Sequence, residues 1–183
     1  MSCPLLQSQV KDNIRTVVID AGHGGHDPGC LGTKSKEKDV ALSVALKVGK
    51  LISDKHSDVK VIYTRSTDVF VELFRRAQIA NNQHADLFIS IHCNASESKT
   101  ARGTETYVMG LKSTAANLAV AKKENSAILL EKNYENNYEG FDPTSPETNI
   151  IFSLYTAAYL KNSSLLASKV QNNLIAVNHF PDR

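Results

Sequence analysis

Apolar and polar positions along the first hundred residues switch between two periods. Residues 15–20, Arg-Thr-Val-Val-Ile-Asp, form a short β-branched run that ends in a glycine-rich turn, which predicts a buried strand. From Lys38 the period lengthens. Val40, Leu42, Val44, Leu46, Val48, Leu51 and Ile52 form a broad apolar face with Lys47, Lys50 and Lys55 outside it, which predicts a helix. Residues 58–63 alternate as a second strand, and residues 70–82 read as a helix with Leu73, Ala77, Ile79 and Ala80 facing the core. A third strand is expected over 85–91 and a fourth over 104–109. Strand, helix, strand, helix, strand in short order predicts βαβ units around a largely parallel sheet, hence an α/β fold.

After Gly110 the character shifts. Residues 114–132 read as a polar-flecked helix with Leu118, Ala121, Ile128 and Leu129 as spaced apolar positions, and 133–146 as a loop rich in Asn, Gly, Tyr and Pro. Pro146 and Glu147 open a further helix through Ile150, Ile151, Leu154 and Leu160, with proline suited to a first turn. A last helix is expected over 164–178, with no strand after it.

Composition narrows the function classes. At 183 residues, 42% hydrophobic and 22% charged, the chain suits one globular domain with a sizeable core. Net charge is only +2, from 21 basic and 19 acidic residues, so no case for nucleic acid arises. Cys3, Cys30 and Cys93 are odd in number and lack CxxC spacing, which argues for small, partly buried thiols over a disulfide framework. No apolar run approaches the roughly 20 residues of a transmembrane segment. Residues 1–14 read as an N-terminal stub that could end a longer export signal, without a basic start or a full apolar stretch of its own.

The chemistry gathers at strand ends. Asp20-Ala-Gly-His-Gly-Gly-His-Asp-Pro-Gly29 follows the first predicted strand, and the carboxyl ends of strands in an α/β sheet face the ligand crevice. His23 sits there between glycines that permit a sharp turn and a close approach. The segment fits neither G-x-G-x-x-G nor G-x-x-x-x-G-K-[ST], so phosphate binding is a poor reading. Glu37 opens the first long helix, and His92 ends the third strand in Ser90-Ile-His-Cys-Asn94. Singly, each histidine reads as a hydrogen-bonded rim residue and Glu37 as a helix-start carboxylate. Together, two imidazoles and one carboxylate at one sheet edge make the ligand set of catalytic zinc, with a position left for water.

Neighbouring residues carry plainer alternatives. His26 reads as a spectator of the ligand loop. Asp27 and Asn94 could orient the imidazoles or simply serve as turn residues, and the sequence favours neither. Cys93 should point away from the metal, because successive strand residues alternate faces. Arg65 and Arg76 read as structural ion-pair partners of Asp68 or Glu72 before substrate contacts.

Several of these motifs, taken in order, resemble the zinc-dependent amidase type 3 family. Val18-Ile-Asp-Ala-Gly-His-Gly-Gly-His-Asp-Pro-Gly29 with Glu37-Lys-Asp-Val40 looks like its opening. Thr64-Arg65, Asp68, Leu73, Arg76-Ala77 and Ala80-Asn81 look like its next signature, Ser90-Ile-His92 with Asn94 its third, and Gly103-Thr-Glu-Thr-Tyr107 its fourth. The resemblance implies an N-acetylmuramoyl-L-alanine amidase, which cleaves the bond between the lactyl group of muramic acid and L-alanine in peptidoglycan. It implies one zinc ion (Zn2+) on His23, Glu37 and His92, in a single α/β domain with a twisted, mostly parallel sheet flanked by helices, phosphorylase/hydrolase-like. It further implies a cell-envelope location, periplasmic or extracytoplasmic.

The family's general base is a second glutamate on a strand near the C-terminus, whereas residues 178–183 contain no glutamate and no apolar strand. The expectation is therefore an amidase domain over 15–183 whose catalytic glutamate lies beyond the chain end. Residues 118–164 resemble the helical insertion with which cell-division amidases of this family cover the zinc until an activator protein displaces it. Within it, Glu124 is the candidate inhibitory ligand, or else a solvated charge beside Lys122 and Lys123. Two other functions stay open: a catalytically silent, zinc-containing cell-wall binding or regulatory domain, and a different metallohydrolase such as a deacylase of small amides.

Overall fold

The computed structural model describes residues 14–96, 98, 100–108, 123–124, 126–131 and 160–178. These fall into two compact units, Met1–Cys93 and Asn94–Arg183, each described here by itself. The stub 1–13, the loop 133–146, the helix expected to open at Pro146 and the chain end from residue 179 lie outside the described residues.

In the first unit the elements run β1 (Thr16–Ala21), α1 (Glu37–Lys55), β2 (Lys60–Tyr63), α2 (Leu73–Asn82) and β3 (Leu87–Ile91). The strands form a parallel sheet in the order β2-β1-β3. The most deeply buried run, Val17 to Ala21, is therefore the central strand, as a continuous β-branched stretch should be. In register, Val17 faces Val61 and Leu87, Ile19 faces Tyr63 and Ile89, and Ala21 faces Ile91. These side chains share one face and pack with Ala45, Leu42, Val48 and Ile52 of α1.

The buried stripe of α1 differs from the apolar face expected. Ala41, Ala45 and Gly49 are buried, whereas Val40, Val44 and Leu51 are exposed. Small residues let the helix axis lie close to the sheet, with Leu42, Val48 and Ile52 filling the flanks. The helix starts with Glu37 and Asp39 in its first turn and carries Lys55 in its last, as the macrodipole favours.

The opposite face of β1 is polar near its end. Asp20 is buried there, and its carboxylate accepts hydrogen bonds from Thr64 (2.6 Å), Arg76 (2.8 Å) and Ser90 (2.7 Å). The start of β1 is tied down separately, since Asp86 Oδ2 accepts the backbone N–H groups of Arg15 (2.8 Å) and Thr16 (2.9 Å). Helix α2 begins at Leu73 and not at residue 70, because the chain before it is held extended with the Val71 carbonyl bonded to Arg76 Nε.

The described secondary structure of the second unit comprises helical residues Lys123 and Glu124, a 3-10 helix (Ser126–Leu130) and α3 (Leu160–Asn178). Residues 104–108, expected as a fourth strand, form none; Thr104 holds only an isolated bridge. Side-chain bonds order this segment instead. Gln171 of α3 donates to the Thr104 carbonyl and accepts the Thr106 hydroxyl at 2.7 Å. The final helix covers Leu160–Asn178 and so includes residues before the expected 164.

Candidate metal centre

Three elements deliver the candidate ligands within the first unit. His23 lies in the turn after β1, Glu37 at the start of α1 and His92 just past β3. Parallel strands put all three at one sheet edge. One ligand atom from each lies within 4.8 Å of the other two. Glu37 Oε1 is the hub, 3.2 Å from His23 Nε2 and 3.1 Å from His92 Nδ1. The imidazole rings meet edge-on, at 83° with centroids 4.9 Å apart, so both present nitrogen to the same oxygen.

The carboxylate of Glu37 is fully buried and anchored at both oxygens. Cys30 N–H donates to Oε2 at 2.8 Å, and Cys93 N–H donates to Oε1 at 2.7 Å. Burial pushes its pKa up, but its contacts with His23 and His92 and the hydrogen bonds from those two amides outweigh burial and hold it well below the usual carboxylate range. The group is therefore an ionised carboxylate facing two imidazoles. A divalent cation suits that donor set of two imidazole nitrogens and one anionic oxygen.

The turn that places His23 depends on missing side chains. His23 itself adopts φ 60°, unusual for a residue with a Cβ. At Gly22 a Cβ would run into the His92 ring, so only glycine lets that imidazole lie over the loop. At Gly29, φ is 64° and a Cβ would sit 2.6 Å from His23 Cδ2 and 2.8 Å from Glu37 Oε2. A side chain at either position would displace a ligand.

Asp27 and Asn94 separate clearly. Asp27 Oδ2 accepts from His23 Nδ1 at 2.8 Å, and Oδ1 accepts Gly29 N–H at 3.0 Å. Burial raises the Asp27 pKa, but the His23 and Gly29 hydrogen bonds prevail and lower it overall. An ionised Asp27 fixes the tautomer with the proton on Nδ1, which leaves Nε2 turned toward Glu37. Asn94 belongs to the second unit, where its amide donates to Glu105 Oε2 at 2.7 Å and to the Tyr107 hydroxyl at 3.3 Å. His26 is exposed, with its ring 4.1 Å from that of Phe70. Glu124 also lies in the second unit, partly buried in its helical turn.

Sequence reasoning missed the cationic frame behind the ligands. Arg76 pairs with Asp20 at 2.8 Å, not with Asp68 or Glu72, and it donates to the carbonyls of Ala21 (2.8 Å) and His23 (2.9 Å). Glu72 pairs instead with exposed Arg75. Asp68 bonds Lys38 Nζ at 2.6 Å and Gly25 N–H at 2.8 Å, and these contacts lower its pKa. Lys38 Nζ also donates to the Gly25 carbonyl at 2.8 Å. The available signal was an arginine within the second helix and a lysine directly after a ligand glutamate, neither specific alone.

Residues 17–183 match the family described as N-acetylmuramoyl-L-alanine amidase. The chain is similar to the N-acetylmuramoyl-L-alanine amidase AmiA of Escherichia coli strain K12, at 30% identity over 92% of this chain and 57% of that protein. It is 36% identical to AmiC of Escherichia coli O6:H1 over 66% of this chain and 29% of that one. The chain thus spans less than two thirds of the length of these curated relatives. Among solved structures, an N-acetylmuramoyl-L-alanine amidase from Clostridium difficile 630 superimposes with a TM-score of 0.52 and 30% identity, covering 90% of this chain and 96% of that one. The catalytic domain of CwlV from Bacillus (Paenibacillus) polymyxa gives 0.50 and 40%, over 60% of each chain.

Proposed function

The chain belongs to the N-acetylmuramoyl-L-alanine amidase family, and on that premise we propose that it is a zinc-dependent hydrolase of peptidoglycan. The bond cleaved is the amide joining N-acetylmuramic acid to L-alanine, and the ligands of the single zinc ion are His23, Glu37 and His92. The observation that carries this reading is the convergence of those three side chains around Glu37 Oε1.

Zinc at this position supplies Lewis acidity, polarising the amide carbonyl and acidifying water. The chain's own residues do the holding. Glu37 contributes the anionic oxygen, fixed by two amides; Asp27 keeps the His23 proton on Nδ1; and Gly22 makes room for the His92 ring. Proton transfer to the leaving amine needs a further acid–base group, worth about 100-fold to 10,000-fold in rate. None of the described residues is assigned that role.

Regulation is the finer part of the proposal. Residues 118–164 act as a helical cover, Glu124 offers an inhibitory carboxylate, and an activator protein displaces the cover. This rests on the resemblance of that segment to the insertion of cell-division amidases. The substrate places the protein in the cell envelope, periplasmic or otherwise outside the cytoplasm.

The test measures zinc content and muropeptide release for the intact chain, for a version lacking residues 118–164, and for His23→Ala. Stoichiometric zinc that disappears in His23→Ala, with release by the shortened version exceeding that of the intact chain, is the expected result. Zinc without release from either version would point to a silent cell-wall binding domain. Absence of zinc from the intact chain would overturn the metal assignment.

A further inference from the structure

One buried side chain bonds the backbone on either side of the His23 and Glu37 pair. Arg65 follows β2 and is only 3% exposed. Its Nη2 donates to the Gly22 carbonyl at 2.7 Å and to the Lys38 carbonyl at 2.8 Å. Gly22 immediately precedes His23, and Lys38 immediately follows Glu37. One guanidinium nitrogen thus joins the two backbone segments that carry candidate ligands. The rest of the fork points the same way, with Nε on the Ala21 carbonyl at 2.9 Å and Nη1 on the Thr67 carbonyl at 3.2 Å.

Two features argue against a mere space-filler. An arginine buried only to complete a core would be expected to face a carboxylate, whereas these bonds all go to main-chain oxygens. Their planar, divergent geometry is one that an ammonium cannot reproduce. His23 also needs restraint, because its φ of 60° persists only where the surroundings over-determine it. Arg65 holds the carbonyl before it and Arg76 holds its own.

We propose that Arg65 is a positioning residue for the metal centre: by bridging the Gly22 and Lys38 carbonyls it sets the His23-to-Glu37 distance before the metal arrives. The inference rests on the metal-centre reading above and is independent of which amide is hydrolysed.

The experiment uses the full chain and compares wild type, Arg65→Lys and Ile52→Ala, the last a core change on α1 that lowers stability away from the ligands. Zinc affinity is read by competition with a coloured chelator, and ligand geometry by the visible spectrum of the cobalt-loaded protein. Arg65→Lys should weaken zinc by about 10-fold to 100-fold, the usual worth of a group that orients ligands, and shift the cobalt bands. Ile52→Ala should lower Tm yet keep zinc affinity within about twofold. Equal zinc affinity in wild type and Arg65→Lys would overturn the inference, as would equal losses in the two variants at matched Tm. Wild type without zinc would instead overturn the metal-centre reading itself.

If Arg65→Lys does not fold, the unsubstituted protein still decides the matter. By NMR, the Arg65 guanidinium protons should exchange slowly in the metal-free chain. Rapid exchange there, with protection appearing only on adding zinc, would mean that the bridge does not precede the metal.

Discussion

The two faces of β1 divide the labour of the first unit. Val17, Ile19 and Ala21 turn toward α1 and pack within one apolar cluster. Asp20, one step out of phase, turns the other way into Thr64, Ser90 and Arg76. The apolar face is non-directional: it contributes stability in proportion to buried area and tolerates repacking. The polar face is directional, because each bond fixes a distance, and through Arg76 it reaches the carbonyls of Ala21 and His23. The apolar packing and the bonds that reach the His23 loop thus lie on opposite sides of the same six residues.

That division can be broken most severely at Asp20. Asp20→Asn removes the charge opposite Arg76 in a pair whose side chains are 5% and 7% exposed. Loss of one partner of a buried pair costs about 3–5 kcal/mol. Denaturant unfolding should register that loss, and zinc affinity should fall with it because the His23 carbonyl loses a well-held donor. Retained zinc affinity in a destabilised Asp20→Asn protein would argue that the polar face does not position the loop.

A milder change on the apolar side sharpens the contrast. Ile19→Val removes one methylene from a fully buried site and should cost about 0.5–1.5 kcal/mol. Chelator competition should find zinc binding unaltered. A weakening comparable to that of Asp20→Asn would erase the distinction between the faces.

The smallest effect lies at the other end of the strand. The N–H groups of Arg15 and Thr16 hold the Asp86 carboxyl below its ordinary value of 3.8. A carboxyl with a depressed folded pKa contributes stability that is fully present above its unfolded pKa and lost as pH falls through the folded one. Thermal melts of metal-free protein should therefore show wild type losing slightly more Tm than Asp86→Asn as pH drops below about 4. Parallel curves for the two proteins would mean that these amides add nothing.

Much of this was legible without coordinates. The β-branched run at 15–20, the periodic stretch from Lys38 and the alternation at 58–63 and 85–91 specify two βαβ units, since period and length are local properties of the chain. The βαβ crossovers make β1, β2 and β3 parallel, which brings their carboxyl ends to one edge, so His23, Glu37 and His92 could be named from their places after a strand, at a helix start and after a strand. Residues 104–108 misled because their β-branched pattern competes with side-chain bonds from Gln171, 65 or more positions away.

The sequence by itself therefore determined the order of elements, the parallel sheet and the three side chains gathered at its edge. Only the tertiary structure decided which groups hold them. The sequence placed Asp27 and Asn94 on equal terms, and the turn between Gly24 and Gly29 turned Asp27 to His23 Nδ1 while Asn94 bonded Glu105. It also left Arg65 and Arg76 as structural ion-pair partners of Asp68 or Glu72, although both are buried and donate to backbone carbonyls. The physical reason is that burial and periodicity are written along the chain. A hydrogen bond to a main-chain oxygen is not: every residue offers that acceptor, and only the folded backbone decides which one a guanidinium meets.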